Sequence, residues 1–164
     1  MLECPLAESH LRPLDVQPVL SIIIPSYCRA AELVQATSSI ADQLTNGLER
    51  KVEIIITDNA SEPGTIAAIR GLAERYPTLS YLLHARDEGG FFQFFAAPWR
   101  ARGRWTWVFG SDDVLLPGGL AHITEALERE QPGFLALNKR VFNADLSQEL
   151  NPSCNSIPDR KSVG

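Results

Sequence analysis

The sequence predicts one α/β domain built on a mostly parallel sheet that is flanked by helices on both faces. Apolar runs alternate along the chain with segments whose apolar residues recur at helical spacing, which is typical of this class. Several of the runs are nearly unbroken, as expected for strands buried on both faces. The 164 residues, 45% apolar and 21% charged, are enough for one globular domain with a core.

The elements of the first half follow in order. Residues 1–18 contain several prolines and no apolar period, which predicts a flexible lead-in. Residues 19–24 form a β-branched run that ends at Pro25 and predicts the first strand. The next segment predicts an amphipathic helix, with apolar residues at helical spacing: Leu33, Ala36, Ile40 and Leu44.

The cycle then repeats to the end of the predicted domain. A second strand and helix are predicted from VEIIITDNAS and PGTIAAIRGLAERY, where Pro63 suits a helix start. A third strand is predicted from LSYLLHA, and a partly helical segment broken by Pro98 from GGFFQFFAAPWRARG. A fourth strand, a third clear helix and a fifth strand are predicted from RWTWVFGSDD, PGGLAHITEALERE and GFLALNKRVF. Residues 143–164 are polar and predict a loop or a disordered tail.

Charge and composition exclude several function classes. The formal net charge of -5 does not favour a nucleic-acid partner, which would require a basic face. No segment has the apolar length of a membrane span, and the start lacks the features of a signal peptide. The three cysteines, Cys4, Cys28 and Cys154, are far apart and odd in number, which indicates reduced thiols in a cytoplasmic protein.

Polar clusters follow three of the predicted strands. They comprise Ser26 with Arg29, Asp58 with Asn59, and Ser111 with Asp112 and Asp113. In an open parallel sheet, ligands bind beyond the carboxyl ends of the strands. We therefore expect all three clusters to face one cleft, although polar strand ends are also what surface loops require.

The adjacent pair Asp112 and Asp113 is the strongest functional signal. It follows Trp-Val-Phe-Gly-Ser directly and precedes Val-Leu-Leu, which is unusual for a solvated turn. Carboxylates are preferred ligands of Mg²⁺ and Mn²⁺, which bind through one or two of them plus substrate phosphates. Because neighbouring residues of an extended chain point in opposite directions, we assign the metal to Asp113 and hydrogen bonds from a ribose or a metal-bound water to Asp112.

Three more residues suit a nucleotide. The Asp58 carboxylate can accept hydrogen bonds from a base or ribose edge. Arg29 and Arg86 have the guanidinium geometry that fits phosphate oxygens, although each alone is also explained as a surface residue.

These motifs together resemble a family 2 glycosyltransferase of the GT-A fold, over residues 19–142. LSIIIPSYCR resembles the family's opening strand, which places Pro25, Ser26, Tyr27 and Arg29 at the nucleotide-sugar site. VEIIITDNAS resembles the second strand, whose Asp, here Asp58, contacts the base. EGGFFQFFAAPWRARGRWTWVFGSDD is similar to an abequosyltransferase-like subgroup of surface-polysaccharide enzymes.

The resemblance implies a function and its partners. It implies that residues 19–142 bind a nucleotide-diphosphate sugar with Mn²⁺ or Mg²⁺, and that the sugar passes to a hydroxyl of a glycan or lipid-linked acceptor. Under this resemblance, Asp112 would contact both the nucleotide-sugar and the metal ion.

The sequence departs from the family pattern at Cys28, Asp87 and Gln93, where Asn is usual, and at Gly110, where the wider Asp-x-Asp pattern begins. Family members also continue with an acceptor-binding half that supplies a general base. We see no counterpart of that base, and neither Asp145 nor Glu149 is assigned the role.

Other functions fit less well. A non-catalytic module that binds a nucleotide-sugar or a partner protein is the alternative, and the exposed aromatics expected in GGFFQFFAAPW would then favour a homodimer. A dinucleotide-dependent oxidoreductase lacks its Gly-rich turn. Trp99, Trp105 and Trp107 are predicted to be core or buried-face residues, and His84 a packing or surface residue.

Overall fold

A five-stranded sheet organises the protein, which a computed structural model describes at residues 5–90, 95, 97–143 and 145–150. The strands are β1 (Leu6–His10), β2 (Leu20–Ser26), β3 (Val52–Asp58), β4 (Leu79–His84) and β5 (Trp105–Val108). Their order across the sheet is β1-β4-β3-β2-β5. β1 pairs antiparallel with β4, and the other three pairings are parallel. The predicted fold class is confirmed.

The three longer helices follow the predicted order, and one short helix was not predicted. They are α1 (Ala30–Ala41), the short α2 (Leu48–Lys51), α3 (Pro63–Arg75) and α4 (Gly119–Glu130), with a 3-10 helix at Ala97–Arg100. Pro63 begins α3 as expected, because its missing N–H needs no partner there. Glu62 caps α3 by accepting a hydrogen bond from the Thr65 N–H at 3.2 Å.

The core lies mainly between the sheet and one layer of helices. Alternate side chains of β2 and β3 point into it and are fully buried, namely Ile22, Ile24, Ile54 and Ile56. They meet apolar residues of α1, α3 and α4. A smaller cluster on the other face contains Ile23, Ile55 and Leu82, packed against Leu6 and Ala101.

The chain's path explains this asymmetry. The steps from β2 to β3 and from β3 to β4 run in one direction, so right-handed crossovers put α1 and α3 on the same face. The step back to β5 reverses the direction and carries the connection that includes Ala101 to the other face. The expectation of helices on both faces is therefore wrong for α1, α3 and α4.

Two segments differ from the sequence prediction. Leu6–His10 was expected in a lead-in without structure, but it forms β1, because its backbone groups pair with the otherwise open edge of β4. The prediction of a fifth strand at the start of residues 133–142 is wrong, since the only bridge of this segment joins Phe142 to Glu149 and Phe134 is 84% exposed. A strand without a neighbour leaves its backbone unpaired.

The chain divides into two compact units, Met1–Glu130 and Gln131–Gly164. The first unit holds the sheet. Trp105 and Trp107 are half-buried against its core, as predicted, whereas Trp99 is 88% exposed and that prediction is wrong. In the described residues, no helix is long and apolar enough to cross a membrane.

Candidate nucleotide-sugar site

The site is expected where the strand order reverses. β3 and β4 lie on one side of β2 and β5 lies on the other, so the loops that follow β2 and β5 leave the sheet side by side. Their strands stay in parallel register as far as Ile23 and Val108, and the Phe109 N–H then bonds the Ile23 carbonyl at 2.8 Å. A switch point of this kind opens a crevice beyond the carboxyl ends of the strands.

The loops after β2 and β3 are tied together by Ser61. Pro25 and Ser26 end β2 level with Thr57 and Asp58 of β3. Both oxygens of the fully buried Asp58 carboxylate accept hydrogen bonds from Ser61, from its N–H at 2.8 Å and from its hydroxyl at 2.5 Å. The same hydroxyl accepts from the Cys28 N–H at 2.8 Å. Asp58 therefore holds the shape of this end of the crevice.

Cys28 adopts a left-handed conformation, with φ of 50°, between Tyr27 and Arg29. Asn tolerates this conformation better than most residues, which gives a physical reason for the Asn usual at this place. The exposed Cys28 side chain, together with Thr65, which donates to the Glu62 carboxylate, lowers the pKa of Glu62 to about 2.

Asp112 and Asp113 lie on a turn and not on an extended chain. The Asp113 N–H bonds the Gly110 carbonyl at 3.1 Å, which closes the turn. A Cβ atom added at Gly110 would lie 2.7 Å from Asp113 Oδ2 and 3.0 Å from Asp112 Oδ1. The two carboxylates thus converge over one glycine, and the expectation that they point in opposite directions is wrong.

An ion pair joins the loops that follow β2 and β5. Arg29, which precedes α1, donates from Nη1 to Asp112 Oδ2 at 2.9 Å, across 83 positions of sequence. Both side chains are more than half exposed. The structure thus joins the polar cluster after β2 to the cluster after β5.

The residues present fit a divalent cation whose coordination is completed by oxygens of a bound substrate. Two exposed carboxylates each bring an oxygen within 3.0 Å of the place that a Cβ atom would take at Gly110, and hard cations take one or two carboxylates plus phosphate oxygens and water. Within the described ranges, no group of three or more acidic, His or Cys side chains is placed to hold a metal alone. Ser26 is 3% exposed, and its hydroxyl has no hydrogen-bond partner among these residues, so a bound molecule or water would stabilise it.

Asn59 and Asp87 were not singled out as ligands by sequence reasoning, yet they join three strand ends. The Asn59 N–H bonds the Ser26 carbonyl at 3.0 Å, and its side-chain amide donates to Asp87 Oδ1 at 2.5 Å. Asp87 also raises the pKa of the exposed Tyr27 through its charge. The signal available in the sequence was the place of Asp87 just before Gly89-Gly90.

Arg86 and the remaining candidate residues are not part of the Arg29–Asp112 contact. Arg86 follows β4 and donates from Nε to Glu88 at 2.5 Å. Gln93, Cys4 and Cys154 lie outside the described residues.

In the second unit, hydrogen bonds from Ser147 lower the pKa of Asp145, and the hydrogen bond with Arg140 lowers that of Glu149. A general base works best with a pKa nearer the operating pH, so neither suits that role.

A cavity of about 520 Å³ lies elsewhere, lined by the segment that follows α1, by α2 and by α4. Lys51, which lines it, immediately precedes β3. The cavity is therefore at the amino ends of the strands, and its lining includes none of the predicted site residues.

His84 should make stability depend on pH. Burial and the charge of Arg100 lower its pKa from 6.5, against the opposing charges of Asp58 and Glu88. The unfolded chain therefore binds the proton more tightly, so the free energy of unfolding should fall as the pH drops through 6.5. Urea denaturation of His84→Gln across this range should show a shallower pH slope than the wild type. Equal slopes would contradict the assignment.

The mostly parallel sheet, with helices between its strands and polar side chains beyond their carboxyl ends, places the protein in the α/β class. Residues 21–161 match the family described as glycosyl transferase family 2, and the chain belongs to that family. It is 32% identical over 135 residues to abequosyltransferase RfbV of Salmonella typhimurium. This match covers 82% of this chain and 40% of that protein. It is 31% identical over 98 residues to an uncharacterized glycosyltransferase, MG060, of Mycoplasma genitalium, of which 32% is covered. The chain thus spans less than half the length of these relatives.

Solved structures show the same GT-A fold. Mannosyltransferase PcManGT from Pyrobaculum calidifontis, in complex with GDP-Man and Mn²⁺, matches with a TM-score of 0.61 at 23% identity, over 80% of this chain and 39% of that one. S. aureus TarS in complex with UDP-GlcNAc matches with a TM-score of 0.59 at 17% identity, over 75% of this chain and 38% of that one.

Proposed function

We propose that the crevice between the β2 and β5 loops binds a nucleotide-diphosphate sugar with Mn²⁺ or Mg²⁺, for transfer of the sugar to an acceptor hydroxyl. The observation that carries this proposal is the convergence of Asp112 and Asp113 over Gly110 at the switch point. The complexes of PcManGT with GDP-Man and Mn²⁺, and of TarS with UDP-GlcNAc, support the ligand class.

Each assigned residue has a role that its surroundings support. Asp113 and Asp112 would hold the cation, which would offset charge on the departing diphosphate. Arg29 and Arg86 would contact phosphate oxygens, and the unpartnered Ser26 hydroxyl would bond the ligand. Pro25 and Tyr27 would shape the nucleotide side of the crevice. Asp58 would act through Ser61, since its own carboxylate is fully buried.

The proposed transfer forms one bond and breaks another. The acceptor oxygen attacks the anomeric carbon, the bond from that carbon to the diphosphate oxygen breaks, and the nucleoside diphosphate leaves. The hydroxyl proton passes to a general base that we assign to none of the described residues.

The setting of this reaction is also proposed. The similarity to an abequosyltransferase favours a glycan or lipid-linked acceptor in cell-surface polysaccharide synthesis, in the cytoplasm. Exposed Phe95 and Trp99 favour self-association as a homodimer.

Calorimetric titration of the wild type with UDP-, GDP- and dTDP-sugars, with and without Mn²⁺, tests the proposal. We expect heat of binding for at least one donor, and we expect the affinity to fall about tenfold or more without the cation, because one carboxylate–cation–phosphate bridge is lost. Affinity that does not depend on the cation, or no affinity for any of the donors, would overturn the assignment. A radiolabelled transfer assay then separates turnover from binding alone.

A further inference from the structure

The ion pair of Arg29 and Asp112 places two groups with different proposed ligands in contact with each other. Asp112 is one of the two carboxylates over Gly110, and Arg29 donates a hydrogen bond to it. We infer that Arg29 is exchanged between two partners: it holds Asp112 when the crevice is empty, and it moves to the diphosphate when a cation takes the carboxylate. This inference rests on the proposed function.

The contact is well suited to exchange. The side chains of Arg29 and Asp112 are 53% and 60% exposed, so water can replace either partner at little cost. Exposed pairs of this kind change an equilibrium constant by only about two- to fivefold. Asp112 is the one partner that the structure shows for the Arg29 guanidinium within the described ranges.

The backbone around the pair is held more firmly than the pair itself. The Cys28 N–H is bonded to Ser61, and the Arg29 carbonyl accepts the Leu33 N–H of α1 at 2.9 Å. On the other side, Gly110 and Asp113 close the turn. The long Arg29 side chain can therefore move while both loops stay in place.

The exchange makes cation and diphosphate bind cooperatively. In the empty crevice the guanidinium occupies Asp112 Oδ2 and repels a cation, so it weakens binding of the cation alone. A diphosphate offers Arg29 a doubly charged acceptor and removes that competition. Because coupling between ligands is reciprocal, the cation in turn frees Arg29 for the phosphate.

Replacing Arg29 by glutamine should therefore move two affinities in opposite directions. We expect Arg29→Gln to bind Mn²⁺ alone about two- to fivefold more tightly than the wild type, because Asp112 loses its competitor. We expect its affinity for GDP or UDP at saturating Mn²⁺ to fall about tenfold or more, because a charge-assisted hydrogen bond is lost. Free Mn²⁺ is measured by electron paramagnetic resonance and nucleotide binding by calorimetry.

Lys51→Gln is the matched control. It breaks the 2.8 Å pair of Lys51 with Glu128, which is similarly exposed but lies at the amino ends of the strands. This variant should leave both affinities unchanged, and circular dichroism of each variant checks that the fold is kept.

The outcomes separate the two ideas. Wild-type protein that binds Mn²⁺, with Arg29→Gln binding Mn²⁺ equally or less tightly, overturns the exchange and leaves the proposed function standing. Wild-type protein that binds neither Mn²⁺ nor nucleotide overturns the proposed function itself. A similar rise in Mn²⁺ affinity in Lys51→Gln would show a general charge effect and would also overturn the exchange.

Discussion

Replacing Arg102 by methionine is expected to lower the free energy of unfolding by about 3 kcal/mol, because it leaves a buried carboxylate without its counter-ion. Glu53 on β3 is 1% exposed. It accepts hydrogen bonds from Arg102 Nε at 2.6 Å and from the Ser21 hydroxyl of β2 at 2.7 Å. The Arg102 side chain is 35% exposed, so we take the lower end of the range for broken buried pairs.

This network anchors the connection between β4 and β5. Arg102 also donates from Nη1 to the Arg12 carbonyl at 3.0 Å, and the Gly103 N–H bonds the Ser21 hydroxyl at 2.8 Å. The connection is thereby fixed to the amino ends of β2 and β3. Loss of the pair should therefore loosen the position of β5 as well as lower stability.

Urea denaturation measures the effect, and a double variant supplies the control. Adding Glu53→Met to Arg102→Met removes the uncompensated charge and should recover most of the lost stability, since apolar pairs often replace buried ion pairs well. If the single variant loses less than about 1 kcal/mol, the value typical of an exposed pair, Glu53 is not the buried charge that the structure shows.

The second large effect is expected at Gly110. Gly110→Ala should weaken Mn²⁺ binding about tenfold or more, because the new methyl group would lie 2.7 Å from Asp113 Oδ2 and 3.0 Å from Asp112 Oδ1 and would push both carboxylates apart. Stability should change by less than about 1 kcal/mol, since the crowded atoms are ends of side chains that can rotate. Calorimetry with Mn²⁺ and a nucleotide measures the first effect, and urea denaturation the second.

Gly71→Ala is the matched control for this change. Gly71 lies in α3, and a methyl group there meets nothing within 4 Å. The variant should keep the Mn²⁺ affinity of the wild type and gain about 0.5–1 kcal/mol of stability from helix propensity. A Gly110→Ala protein that binds Mn²⁺ as tightly as Gly71→Ala would show that the space above Gly110 is not the cation site.

Much of the fold could be predicted because its signals are local. The β-branched runs of β2 and β3 and the apolar spacing of α1 are properties of neighbouring residues, and each predicted its element correctly. The same reasoning failed at 133–142, where an apolar run has no strand to pair with. It also missed β1, whose strand depends on β4, about 70 positions away.

The candidate site could likewise be predicted only in part from the sequence. Parallel strands end at one edge of a sheet, so the chain order of strands and polar clusters sufficed to place Ser26, Asp58 and Asp112 at a common rim. The chain order did not show that both oxygens of the Asp58 carboxylate accept hydrogen bonds from Ser61, because that contact depends on the path of one loop.

By itself, the sequence determined the order of strands β2 to β5 and of helices α1, α3 and α4, the kinds of side chain at each strand end and the family of the protein. The tertiary structure alone decided which of those side chains meet. Arg29 reaches Asp112 because β5 returns to the side of β2 away from β3, and the two carboxylates converge because a tight turn replaces an extended chain. Both depend on sheet order and loop geometry, which are set by packing between residues distant in sequence.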